Sequence, residues 1–270
     1  MKNVTYANHW QPYFEHLGLR SFDDFFNYED GETVNQNTKR NVVVLKLPHN
    51  IHTKTFFMKR FFNPHFKDML FTLRNFGKLC SQGELEWRNA NILLEHGIET
   101  YHPACFGVET LCGIERRSFF ITEEINGICL QDYLVQYWAD LADDDKEKIV
   151  LKLAAFFKKI HAVRISLPDA YIWHVYMVKH IDNAEDFEFG MIDLHRMQIN
   201  TRGNRQAAEN LGRFLFSLPE GFLDEKLRNA FIENYLDADF IRNRDAFVAT
   251  MTKREKTLLK RRKKRPIQIG

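Results

Sequence analysis

The chain has 270 residues, 44% of them hydrophobic and 27% charged, with 24 phenylalanines; this size and apolar content suit one large domain or two lobes and exclude overall disorder. Its four cysteines (Cys80, Cys105, Cys112, Cys129) show no metal-ligand spacing, and the polar start after Met1-Lys2-Asn3 is unlike an export segment, so a reducing compartment is expected. No apolar run approaches the ~20 residues that cross a bilayer, while the net charge of +2 conceals nine Lys or Arg against the single acid Glu255 in residues 253–265.

In chain order, residues 41–47 and 54–62 are β-branched or aromatic runs around the turn-like Pro48-His49-Asn50, and predict two adjacent antiparallel strands. Residues 81–97 predict a helix, opened by the capping-box pattern Ser81-Gln82-Gly83-Glu84 and stopped at Gly97. A further strand over 117–122 precedes Glu123-Glu124 and Gly127. Beyond residue 128 the pattern turns helical: 130–137, then 146–163, capped by Asp143-Asp144-Asp145 and carrying the stripe Ile149, Leu153, Phe156, Phe157, Ile160. Strand-like pieces follow at 172–178 and 188–194, and the remainder is helical up to the basic tail. Strands first and helices second predict an α+β, bilobal organisation: an N-terminal extension 1–20, an N-lobe 21–125, a C-lobe 126–250 and a basic tail 251–270.

Four residues stand out against this frame. Helical spacing sets Glu86 beside the apolar stripe of its helix, where a carboxylate needs a partner. Strand alternation puts Lys59 on one side with Phe57 and Phe61, so its ammonium either snorkels to water or is paired. Asp193 ends the apolar run Phe189-Gly190-Met191-Ile192, as a metal carboxylate or a turn cap would. Asp169 lies between the long helix and the strand pair, and Asp169 to His174 keeps the Asp-x-x-x-x-Asn spacing of a kinase catalytic loop, with His in the Asn position. Taken singly, each has an ordinary structural explanation. Their order is the sharper signal: strand Lys, helix Glu, lobe junction, long helix, loop Asp, strand-end Asp.

Over residues 17–218 the chain resembles the lipopolysaccharide kinases that phosphorylate heptose or Kdo sugars of the inner core. The resemblance is carried by Leu17-Gly18-Leu19-Arg20-Ser21-Phe22-Asp23-Asp24, Gly31, Phe56-Phe57-Met58-Lys59-Arg60, Glu86-Trp87, Gly97-Ile98-Glu99-Thr100, Pro103, residues 121–127 and His174. It implies a protein-kinase-like fold using ATP and Mg²⁺. Lys59 would orient phosphates and Glu86 would hold Lys59; Glu123 and Ile125 of the hinge would contact the nucleotide. Asp169 would be catalytic base or acceptor-orienting group, with Asp193 and His174 at the metal. Arg202 and Arg205 would touch an anionic acceptor or serve only as surface charge. The chain departs from the family at Leu167-Pro168, where a His-basic pair is usual, and at Glu209-Asn210, where Lys-Asp is expected. It has no G-x-G-x-x-G, so only Gly31 and residues 33–41 are left to cover a nucleotide.

The expected function is phosphorylation of a lipopolysaccharide inner-core sugar by a cytoplasmic enzyme peripheral to the inner membrane. The basic tail would meet anionic lipid, and without aromatic interleaving nucleic acid is not an expected partner. The alternatives are a soluble sugar, aminoglycoside or protein acceptor, or a pseudokinase-type binding module, which Pro168 and His174 motivate.

Overall fold

The computed structural model describes residues 1–7, 9–180 and 183–264. The chain forms two compact units, Met1–Glu95 with Thr100–Ile125, and His96–Glu99 with Asn126–Gly270.

The first unit holds β1 (Lys2–Tyr6), α1 (Trp10–His16), α2 (Phe22–Phe26), β2 (Glu32–Gln36), β3 (Arg40–His49), β4 (His52–Phe62), α3 (Phe66–Phe76) and α4 (Gln82–Glu95). After β5 (Glu99–Thr100), where the chain passes between units, it adds β6 (Pro103–Leu111) and β7 (Ile114–Glu123). Its sheet runs β1-β6-β7-β4-β3-β2. The central strand β4 pairs antiparallel with β3 and β7, so that Lys59 lies opposite Val42 on one side and Phe120 on the other. Alternation along β4 sends Phe56 and Met58 into an aromatic cluster with Trp10, Phe14, Phe22, Phe25, Phe26 and Phe119, which takes in six of the chain's 24 phenylalanines. The other face receives α4, which buries Leu85, Ala90 and Leu93.

Residues 1–20 are not an extension. β1 pairs with β6 along its whole length, and Trp10 and Phe14 are buried in the unit's core, so removing them would open that core. Gly31 serves packing: a Cβ there would collide with the side chains of Val43 and Leu45.

The second unit contains β8 (Gly127–Cys129), α5 (Leu130–Tyr137), α6 (Asp143–Ala162), β9 (Val175–His180), β10 (Asn183–Met191), α7 (Arg205–Ser217), α8 (Glu225–Leu236) and α9 (Arg244–Lys264). β10, β9 and β8 pair antiparallel in that order. α6 packs on α8 and α7 on α9, around Phe157, Phe214, Phe231 and Tyr235.

Four expectations differ from the structure. The N-cap of α6 is Ala142, and Asp143, Asp144 and Asp145 sit inside the first turn, where their negative charge is favourable at the positive end of the helix dipole without capping it. Residues 172–174 form a 3₁₀ turn before β9 begins. The strand expected to reach Leu194 ends at Met191, and Asp193 lies beyond it with φ +59, a left-handed conformation that Asp tolerates better than most residues. The tail expected from residue 251 is the second half of α9 as far as Lys264; Arg265 and residues 266–270 lie outside the described residues. No described helix is long and apolar enough to cross a membrane.

Candidate active site

In the first unit, Lys59 Nζ lies 3.0 and 3.1 Å from the two carboxylate oxygens of Glu86. Glu86 is fully buried, and the Lys59 side chain keeps 16% of its exposure. Such a pair persists only where further hydrogen bonds satisfy the carboxylate. Tyr101 supplies one, its hydroxyl donating to Glu86 Oε2 at 2.6 Å, while its ring faces the Lys59 ammonium at 5.4 Å. Arg60, the neighbouring cation, points to the opposite face. It donates to the carbonyls of Phe25 and Tyr28 near the end of α2, and burial pulls its pKa down.

At the end of β7, Glu123 is engaged within the unit. Its carboxylate accepts from Trp10 Nε1 at 3.1 Å and pairs with Lys54, and its amide donates to His102 O at 2.9 Å. The Glu124 amide donates to Thr55 O at 3.1 Å, and Ile125, half-buried, ends the unit.

In the second unit, His174 joins the loops of Asp169 and Asp193. Its Nδ1 lies 2.8 Å from Asp169 O, which can only accept, so this nitrogen carries the proton and Nε2 presents a lone pair in the neutral ring. That Nε2 is 3.8 Å from Asp193 Oδ2, and the Ile192 amide donates to His174 O at 2.8 Å. The Asp169 carboxylate accepts from Arg196 Nη1 at 3.0 Å.

The loop before Asp169 is held from below. Asn210 Oδ1 accepts from Leu167 N at 2.8 Å and Ser166 Oγ at 3.0 Å, which fixes the orientation of the amide. His161 Nε2, 3.3 Å from the same oxygen, is therefore a donor, and His161 Nδ1 accepts from the Tyr235 hydroxyl at 2.6 Å. Burial keeps this imidazole neutral, its pKa pushed down to about 4. Ser166 also exchanges two backbone hydrogen bonds with Gln198. Leu167-Pro168 thus sits in a loop anchored by backbone and amide contacts.

Arg205 pairs with Glu209 one turn along α7 and is largely exposed; Arg202 is exposed on the preceding loop. Tyr101, Arg196 and the His161–Asn210–Tyr235 network were not singled out from sequence. The Glu209-Asn210 departure was the one signal that pointed towards the network.

Asp193 Oδ2 and His174 Nε2 fit a cation that takes its remaining ligands from phosphate oxygens and water, as Mg²⁺ does at nucleotide sites. Among the described residues no group of three or more Asp, Glu, His or Cys could hold an ion by protein ligands alone.

Residues 25–235 match the model of the lipopolysaccharide kinase (Kdo/WaaP) family. The chain belongs to this family. Among relatives, it is 28% identical over 157 residues to the lipopolysaccharide core heptose(I) kinase WaaP of Escherichia coli, a match covering 57% of this chain and 59% of that protein. The Pseudomonas aeruginosa PAO1 protein of the same name is 24% identical over 188 residues, covering 66% of this chain and 69% of the relative. The match thus spans less than two thirds of the E. coli relative's length. A solved structure titled "WaaP in complex with acyl carrier protein" superposes with a TM-score of 0.71 at 18% identity, covering 95% of this chain and 99% of that one, so the Kdo/WaaP family member has that α+β, kinase-like fold.

Proposed function

We propose that the protein is an ATP-dependent kinase that phosphorylates a hydroxyl of a lipopolysaccharide inner-core sugar, heptose or Kdo, at the cytoplasmic face of the inner membrane. The observation that carries this reading is the buried, triply held Lys59–Glu86 pair: a lysine fixed on a sheet strand by a helix glutamate is the phosphate-orienting device of kinases. Family membership supplies the acceptor class.

Phosphoryl transfer asks for in-line placement and charge neutralisation more than covalent chemistry. Lys59 orients the α- and β-phosphates, and Ile125 with the neighbouring Glu123 contacts the nucleotide at the hinge. Asp193 and His174 would hold Mg²⁺, which would supply charge neutralisation to the nucleotide's phosphates. Asp169 receives the sugar hydroxyl, its carboxylate oriented by Arg196 and its loop by Asn210. Arg202 and Arg205, exposed at the start of α7, contact anionic groups of the acceptor, and the basic half of α9 meets anionic lipid.

The test is transfer of labelled γ-phosphate from MgATP to purified core lipid and to soluble sugars. Turnover on core lipid alone, abolished by Asp169→Ala in a folded protein, supports the proposal. Equal turnover on a soluble acceptor removes the lipid specificity, and no transfer by wild-type protein that still binds MgATP leaves a binding module in place of a kinase.

A further inference from the structure

The helix that carries Glu86 does not end its own N-terminus. An α-helix leaves its first four amides without intrahelical partners, and in α4 Ser81 satisfies only that of Glu84, at 3.1 Å. The Gln82 amide donates to Glu115 Oε2 at 2.9 Å, and the Gly83 amide to Ser118 Oγ at 3.0 Å. Both acceptors lie on β7, and they bond to each other, the Ser118 hydroxyl donating to Glu115 Oε1 at 2.5 Å. Glu115 is 3% exposed and Ser118 fully buried. The first turn also lies hard against the strand, since a Cβ on Gly83 would stand 2.5 Å from Phe119 O.

Glu115 is costly to keep. Among the described residues no cation pairs with it, and burial, with Asp68 adding to the effect, pushes its pKa up to about 7 despite the two donors. A Gln or Ser would cap a helix at less expense. What the site gains is a rigid reference, because β7 is also the strand that pairs with β4: Phe120, two residues beyond Ser118, lies opposite Lys59. One strand therefore sets the height of Lys59 and, through Gln82 and Gly83, the position of Glu86 one turn further along α4.

We infer that Glu115 and Ser118 are positioning residues for the Lys59–Glu86 pair, docking the N-terminus of α4 on β7 so that the carboxylate meets the ammonium. The catalytic consequence rests on the kinase reading; the structural link does not. The decisive measurement is a Lys59/Glu86 double-mutant cycle by urea unfolding, run in wild-type, Ser118→Ala, Glu115→Ala and Glu115→Gln backgrounds. The coupling between Lys59 and Glu86, expressed as a ratio of unfolding constants, is expected to fall at least fivefold with Ser118→Ala or Glu115→Ala. It should stay within twofold with Glu115→Gln, which keeps an acceptor for the Gln82 amide. Should Glu115→Ala not fold, Ser118→Ala carries the test. Full coupling in a folded Ser118→Ala protein overturns the inference, because a cap that merely stabilises the helix would lower stability and leave the cycle unchanged. In parallel, kcat/KM for MgATP on a core-lipid acceptor should drop about tenfold in Ser118→Ala. Lost coupling in a protein whose wild type never transfers phosphate sustains the positioning role and refutes the kinase reading.

Discussion

Glu86 has no solvent exposure, and its charge is bearable because three donor contacts from two side chains converge on it. Breaking a buried ion pair from one side leaves the other charge unpaired at a cost of about 3–5 kcal/mol. Lys59→Ala should therefore destabilise the fold by that amount, while Lys59→Met combined with Glu86→Leu should recover much of it; equal losses in single and double variants would refute the pairing. Removing the Tyr101 hydroxyl, by Tyr101→Phe, should cost about 1.5–3 kcal/mol, the worth of a hydrogen bond to a charged group. The two partners were legible in the sequence because each rests on a period: two along β4, 3.6 along α4. Alternation also separates Lys59 from Arg60, which the structure sends to the carbonyls at the end of α2. Tyr101 was not legible, since it arrives from the two-residue link between β5 and β6, where no period announces which way a ring turns.

Elements position these residues through two buried polar contacts with opposite responses to pH. His161, joining α6 to Asn210 of α7 and Tyr235 of α8, is neutral in the fold with its pKa near 4. Below the ordinary value of 6.5 the unfolded chain takes up a proton that the native state refuses, so this group's contribution is lost as pH falls from 6.5 towards 4. Glu115 of β7, faced by the α4 amides, Ser118 and the Asp68 carboxylate of α3, has its pKa raised from 4.5 to about 7. There the native state keeps a proton that the unfolded chain releases, and stability is lost as pH rises from 4.5 to 7. Urea midpoints of wild type and Glu115→Gln measured from pH 4.5 to 7.5 should diverge in favour of the variant as pH rises, by on the order of 3 kcal/mol over the window. Parallel curves would mean that Glu115 titrates normally. At Asn210, replacement by Ala leaves the Leu167 amide, the Ser166 hydroxyl and the His161 N–H without their acceptor, and about 3 kcal/mol should be lost. Phosphate transfer should fall further than stability explains, because the Asp169 loop loses its floor. Sequence marked Asn210 only as a departure from the family's Lys-Asp; that its one oxygen gathers three donors from two other segments is a fact of tertiary packing, invisible to local pattern.

Across the whole molecule, the passage from strands to helices beyond residue 128 was readable because hydrophobic period changes from two to 3.6 there; the two compact units divide between Ile125 and Asn126, ahead of the short strand β8. The ends were less readable. The first twenty residues look like an extension to a domain, yet Trp10 and Phe14 are core residues; the basic run looks like a tail, yet as far as Lys264 it is the continuation of a packed helix. Phe247 and Met251 are buried, Gly212 of α7 has no room for a Cβ beside Met251 O, and Glu255 takes both Nη groups of Arg228, at 3.2 and 2.6 Å. Cutting the chain at residue 253 would therefore remove structure together with charge, and lost lipid binding would have two explanations. Substituting exposed cations answers the question cleanly. Lys253, Lys256 and Lys260 line a groove of about 910 Å³ with Leu236 of α8 and Val248 of α9, and Arg261 is exposed one residue on. Each basic group near an anionic surface adds about 1 kcal/mol, so Lys256→Gln, Lys260→Gln and Arg261→Gln together should weaken binding to vesicles containing phosphatidylglycerol by about two orders of magnitude at low salt. The difference should shrink as the Debye length falls towards ~8 Å at 0.15 M ionic strength, and neutral phosphatidylcholine vesicles should show none of it. Activity on a detergent-solubilised acceptor should be retained by the triple variant, since none of the three residues belongs to the Lys59 or Asp169 constellations. Vesicle binding as tight as that of wild type would show that this face of α9 is solvated charge and that the protein reaches its acceptor by another surface.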